Sequence, residues 1–138
     1  MKIIIPIIPT AQMRARHGTA GGFSRTYKHE KQEARENVLM ALLARFQPAE
    51  PMQGEIMLGV KAYLPIPSSK PKGWKAAAAS GQVRPTTKPD LDNIIKNIKD
   101  CLSMMRFWQD DKQVVGYLPG TGKYYSDSPR WEVEIEPR

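Results

Sequence analysis

Residues 91–105 most restrict what this chain can fold into. Leu91, Ile94, Ile95, Ile98, Cys101, Leu102 and Met105 recur at steps of three and four, which lines one side of an α-helix of about four turns and demands a surface to cover it. The polar side carries Asp92, Lys96 and Asp100 at four-residue steps, so these three share a face, one turn apart. Pro89 sets the approach, placing Asp90 at the N-cap and Asp92 in the first turn. After the helix, Phe107 and Trp108 lead into Asp110 and Asp111 and then into a strand-like run. A helix followed directly by a strand can bring its own start near Asp110 and Asp111, with Trp108 anchoring the return.

The remaining segments must supply the surface that this helix covers. Residues 2–8 read as a first strand, rich in Ile and stopped by Pro9. Residues 30–46 read as a helix whose Val38, Leu39, Leu42, Leu43 and Phe46 face the core, with Glu30, Glu33 and Glu36 near its positive end. Residues 54–64 switch to period two: Ile56, Leu58, Val60, Ala62 and Leu64 point one way, and Glu55, Met57, Lys61 and Tyr63 the other. Residues 113–126 read as a strand interrupted by a bulge or turn at 119–122. In the last strand Trp131, Val133 and Ile135 alternate with Glu132, Glu134 and Glu136. That order predicts an α+β fold over residues 1–138, one domain with a mixed or antiparallel sheet packed against helices.

Charge is unevenly placed. Residues 1–89 carry 14 Lys/Arg against 5 Asp/Glu, a balance of +9, and residues 90–138 carry 7 against 9, a balance of −2. Two basic stretches of low hydropathy stand out. In residues 10–27, where periodicity disappears, Arg14, Arg16 and Arg25 gather with three glycines; this is either a solvated connection or a loop that lays guanidinium groups on phosphates. In residues 68–88, Lys70, Lys72, Lys75, Arg84 and Lys88 surround Trp74 and an alanine run that can form a short helix. Cations spaced around an aromatic suit phosphate binding and base stacking, and a flexible surface excursion is the plainer alternative. One cysteine, Cys101, allows neither an intramolecular disulfide nor a thiolate zinc site. That fits a reducing cytoplasm, and no stretch reaches membrane-spanning length.

Each acidic residue has an ordinary explanation: Asp90 as a helix cap, Asp92 as the partner of Lys96 in an i,i+4 ion pair, Asp110 and Asp111 as a turn. Held together, however, several carboxylates repel, and stay ionised only beside a compensating cation. Oxygen ligands without His or Cys suit a hard ion, Mg²⁺ or Mn²⁺, which also takes ligands from phosphate. Such a site can activate water against a phosphodiester, with Lys96 neutralising charge on the phosphoryl oxygens. Hydrolysis of a nucleic-acid backbone is the chemistry that joins the acidic cluster to the basic stretches.

Residues 88–102, KPDLDNIIKNIKDCL, followed by FWQDDKQVV at 107–115, resemble the signature of the RusA family of Holliday-junction resolvases. There a D-x-D-N-x-x-K helix precedes an aromatic and a D-D pair that opens a strand. The matching places are held by Asp90, Asp92, Asn93, Lys96, Asp100, Trp108, Asp110 and Asp111. The resemblance implies a small homodimer that binds four-way DNA junctions and makes symmetric nicks with 5′ phosphates, in DNA recombination and repair. It implies Asp90, Asp92 and Asp111 as Mg²⁺ ligands, Lys96 as the catalytic lysine, and often a phage or prophage source. Arg14, Arg16, Arg25, Lys70, Lys72, Lys75, Arg84 and Lys88 are the expected DNA contacts. Competing readings are a non-catalytic nucleic-acid-binding protein and a nuclease for other branched substrates.

Overall fold

The computed structural model describes residues 1–12, 16–20, 23–27 and 30–138, except the side chains of 16–20, 23–27, 30–33, 35 and 36. The elements run β1 (Lys2–Ile5), β2 (Arg16–Ala20), β3 (Phe23–Tyr27), α1 (Glu30–Leu43), β4 (Ile56–Pro65), α2 (Lys72–Ala79), α3 (Leu91–Met104), β5 (Val114–Tyr117), β6 (Gly122–Ser126) and β7 (Arg130–Pro137). Short 3-10 turns lie at Ala44–Phe46 and Asp111–Gln113.

The ten-residue strand β4 organises the sheet. β7 runs antiparallel along one side of it, from Ile56 opposite Pro137 to Tyr63 opposite Arg130, and β1 pairs antiparallel with the far side of β7. The other side of β4 is shared: β5 runs parallel to its first half and β6 parallel to its second. A hairpin cannot deliver a parallel neighbour, so the chain between β4 and β5 must cross over the sheet. That crossover contains α2 and α3, and it brings the acidic helix alongside the strand that begins after Asp111. The fold is α+β with a mixed five-stranded sheet.

The alternation in β4 turns Ile56, Leu58, Val60, Ala62 and Leu64 inward. Trp131, Val133 and Ile135 of β7 and Ile3 and Ile5 of β1 complete that face. Against it lie Ile94, Ile95, Ile98, Cys101 and Leu102 of α3 and Leu39 and Leu43 of α1. Each fully buried Leu or Ile contributes about 1.5–3 kcal/mol, so α3 is held by its stripe and not by its polar edge.

Three readings of the sequence differ from the structure. β1 ends at Ile5 because Pro6 has no N–H to continue the ladder. Residues 16–27, expected as part of a loop, contain the antiparallel pair β2 and β3; its signals, β-favouring Thr, Phe and Tyr around a Gly-Gly dipeptide, are too short for period two to show. Val38 and Phe46 are 51% and 37% exposed instead of facing the core. The 3-10 turn over 44–46 alters the angular advance and swings Phe46 off the α1 stripe. The interruption read at 119–122 is a turn, over residues 118–121 between β5 and β6, with Gly120 at φ 89°. Among the described residues no helix is long and apolar enough to cross a membrane.

Candidate active site

α3 begins where Pro89 and Asp90 predict, with Asp90 at the N-cap and Asp92 in the first turn. The Asp90 carbonyl accepts the first helical bond, from the Ile94 amide at 3.0 Å. Its carboxylate, however, makes no capping hydrogen bond. Nor do Asp92 and Lys96 form an ion pair among the described residues, where the ion pairs are Arg130–Glu132 and Arg138–Glu55. The side-chain cap and the i,i+4 ion pair are left unfilled, Asp92 keeping only the favourable place of an acid in the first turn, and both carboxylates are exposed.

Asp110 behaves differently. Its carboxylate Oδ1 accepts the Lys112 amide at 2.9 Å, and the Gln113 side chain returns to accept the Asp110 amide at 2.9 Å, closing a reciprocal cap on the 3-10 turn. The Lys112 amide holds the Asp110 carboxyl below the usual carboxylate range. Gln113 also accepts from the Gln109 amide at 2.8 Å and donates to the carbonyls of Met52 at 2.9 Å and Gly54 at 3.1 Å. The turn presenting Asp111 is thereby tied to the segment before β4. Trp108 anchors the return as expected: it is fully buried, and its Nε1 donates to Ser103 Oγ of α3 at 2.7 Å.

These elements place Asp92, Lys96, Lys99, Asp100, Asp111 and Tyr117, with Ile95 beneath them, around one open groove of about 260 Å³. Asp100 and Asp111 also border the adjoining hollow of about 330 Å³, together with Gln12 and Asp110. Asp100 and Asp111 thus border both hollows, and Asp92 borders the first. Asp90 does not line the groove. Asp100 Oδ2 accepts Gln12 Nε2 at 2.8 Å, and buried Asn97 donates to the Thr10 carbonyl at 2.9 Å. α3 thus fixes the segment that leads toward β2.

Sequence reading paired Asp100 with Asp92 and Lys96 on one face without selecting it for the site, and missed Lys99, Tyr117, Gln12 and Gln113. Helical spacing carries a signal for Lys99, one turn from Lys96. The other three reach the site only through tertiary pairing.

The basic residues form a second group. Lys70 Nζ stands 5.1 Å from the Trp74 ring, which meets Tyr125 of β6 edge-on at 5.4 Å. Lys72 and Lys75 lie on α2, and Lys88 is exposed just before the helix start. Arg84 lies over the Tyr124 ring at 4.0 Å and donates from Nε to the Lys123 carbonyl at 2.8 Å. Arg14 lies outside the described residues; Arg16 and Arg25 sit on β2 and β3, with their side chains outside the description.

The groove suits a hard divalent cation by its donor chemistry: carboxylate oxygens with no His or Cys among the groove's own lining. Among the described residues no three such side chains are gathered tightly enough to hold an ion by themselves. Magnesium does not need that, because it keeps several waters and takes one or two carboxylates beside substrate phosphate.

Over 129 residues the chain is 35% identical to the uncharacterized protein YqaN of Bacillus subtilis (strain 168), covering 92% of this chain and 89% of that protein. Over 50 residues it is 40% identical to the crossover junction endodeoxyribonuclease rusA of Lactococcus phage r1t, covering 36% of this chain and 37% of the phage protein. The family model described as endodeoxyribonuclease RusA matches residues 6–136, and the chain belongs to the RusA endodeoxyribonuclease family.

Proposed function

We propose that this protein is a Mg²⁺-dependent endodeoxyribonuclease that resolves four-way DNA junctions by paired symmetric nicks in recombination and repair. The observation that carries the reading is the groove: Asp92 and Lys96 of α3 share it with Asp111, which arrives from the far side of a buried tryptophan. Membership of an endodeoxyribonuclease family supports the reaction class, and the name of the phage relative supports the junction substrate.

Asp92 and Asp111 in the groove, with Asp90 at the helix N-cap just outside its lining, are the residues that would hold Mg²⁺, with Mn²⁺ able to substitute. Such an ion, when bound, supplies an activated water and charge neutralisation at the phosphodiester. Lys96, on the groove wall between Asp92 and Asp100, holds an ammonium where the phosphoryl oxygens gain negative charge. Lys70, Lys72, Lys75 and Lys88, none paired with a carboxylate among the described residues, hold the DNA backbone by charge. A four-way junction offers two equivalent strands, so a two-fold homodimer matches the symmetry of paired cuts.

A synthetic four-way junction, a fork and a linear duplex incubated in parallel with Mg²⁺ test this. Native protein cuts the junction in preference, whereas Asp92→Asn loses cutting and keeps junction affinity within about twofold, because the lost contact is to metal and not to the phosphate backbone. Undiminished cutting by Asp92→Asn overturns the assignment. Junction binding by native protein without cutting in Mg²⁺ or Mn²⁺ favours a non-catalytic binding protein. Preferential cutting of the fork moves the substrate to other branched DNA.

A further inference from the structure

Residues 80–90 carry the chain from α2 to the start of α3, and their path determines where Asp90 and Asp92 stand. The Asp90 carboxylate makes no cap, so no side-chain bond of its own fixes it and its position follows the backbone that delivers it. That backbone is gripped from β6 in both directions. Arg84 reaches from the connection to the sheet, donating from Nε to the Lys123 carbonyl at 2.8 Å with its guanidinium over the Tyr124 ring. Lys123 reaches back, donating from Nζ to the Thr87 carbonyl at 2.6 Å. Gly122 is buried beneath this contact, and a Cβ there would collide with Arg84 Nη2. The platform is a stack of side chains: Tyr124 stacks on Tyr63 of β4 at 5.2 Å, and Arg130 of β7 covers the Tyr63 ring at 3.9 Å.

We propose that Lys123 and Arg84 are positioning residues, a two-way clamp from β6 that holds residues 84–87 and so sets Asp90 and, two residues on, the Asp92 end of the groove for metal binding. The inference rests on the reading of the groove as a metal site. Thr87 is three residues from Asp90 and five from Asp92, so releasing Thr87 frees the chain that delivers Asp90 while the buried stripe still holds the body of the helix. Lys123 and Arg84 therefore act on the metal through the backbone, without touching it.

The test is Mn²⁺ binding to the free protein, by calorimetry and by the Mn²⁺ paramagnetic signal, alongside the Mg²⁺ dependence of junction cutting and junction affinity without metal. Lys123→Met weakens Mn²⁺ binding about tenfold, the size typical of losing an outer partner of a metal ligand, and raises the half-saturating Mg²⁺ by a similar factor. Excess Mg²⁺ restores most of the rate, and metal-free junction affinity stays within about twofold, since no phosphate contact is removed. Lys123→Arg, which keeps a donor, recovers metal binding. Arg84→Met alters an exposed side chain without touching the core and weakens Mn²⁺ binding to the free protein by a similar factor, a readout that loss of a DNA contact alone does not move and that remains measurable where Lys123→Met folds poorly. Native Mn²⁺ affinity in both variants overturns the clamp. So does a selective loss of junction affinity with a shallower salt dependence, which makes these residues phosphate contacts. Absence of Mn²⁺ binding by the native protein overturns the metal-site reading itself, and the clamp with it.

Discussion

Asp110 and Asp111 are neighbours in sequence with different tasks. Asp110 closes the cap on its turn through the Lys112 amide and Gln113, while Asp111 lines the groove with Asp92 and Lys96. Asparagine caps about as well as aspartate, so Asp110→Asn keeps the turn and cuts junctions within a fewfold of the native rate. Asp111→Asn removes a carboxylate from the groove and loses at least about 10²-fold, the scale on which a preorganised electrostatic group acts. A comparable loss in Asp110→Asn, measured in the same Mg²⁺-dependent assay, shows that the cap is not its main role. The Asp110 carboxyl has its folded-state value lowered, chiefly by the Lys112 amide. Its stabilising contribution is therefore complete above the unfolded carboxyl value of about 3.9 and is lost as pH falls through the lower folded value. Thermal scans between pH 5 and pH 2 should show a steeper acid-dependent loss in the native protein than in Asp110→Asn.

At the scale of elements, α3 was legible because one periodic stripe, one proline and one N-cap position all specify the same helix, and the structure buries Ile94, Ile98, Cys101 and Leu102 of that stripe. β4 and β7 were legible for the same reason at period two. The supports of the site were not: Gln113 bonds to Met52 and Gly54, Gln12 to Asp100, and Lys123 to Thr87, pairings between distant residues that leave no local periodicity. The end of α3 is a further case. The Phe107 amide bonds to the Leu102 carbonyl at 3.0 Å and the Arg106 amide to that of Ser103 at 3.1 Å, with Arg106 at φ 60°. This is the double-bonded helix terminus at which glycine is usual; arginine hides the signal. Arg106→Gly removes the Cβ penalty of the left-handed conformation against a partly offsetting gain in unfolded-chain entropy. It should stabilise the protein by about 0.5–1 kcal/mol, a rise of about 2–4 °C in Tm. An unchanged or lower Tm shows that the arginine side chain contributes more there than its backbone conformation costs.

For the whole molecule, the excess of +9 in residues 1–89 and the balance of −2 in residues 90–138 divide binding from chemistry. An acidic groove repels a polyanion, so attraction must come from cations elsewhere. Lys70, Lys72 and Lys75 supply a cluster around α2, which packs on β6 beside the connection leading to Asp90. Each lysine that meets a phosphate releases condensed counterion, and the logarithm of affinity falls with the logarithm of salt by about 0.9 per contact on duplex DNA. Replacing Lys70, Lys72 and Lys75 together by serine should lower that slope by about 2–3 while leaving Mn²⁺ affinity of the free protein unchanged, because none of the three lines the groove. Titrating a junction labelled at one arm across a range of KCl, in EDTA so that no cutting intervenes, measures the slope directly. A triple variant with the native slope assigns the phosphate contacts to other cations, and a triple variant that also loses Mn²⁺ affinity shows that binding and chemistry are not separable in this fold.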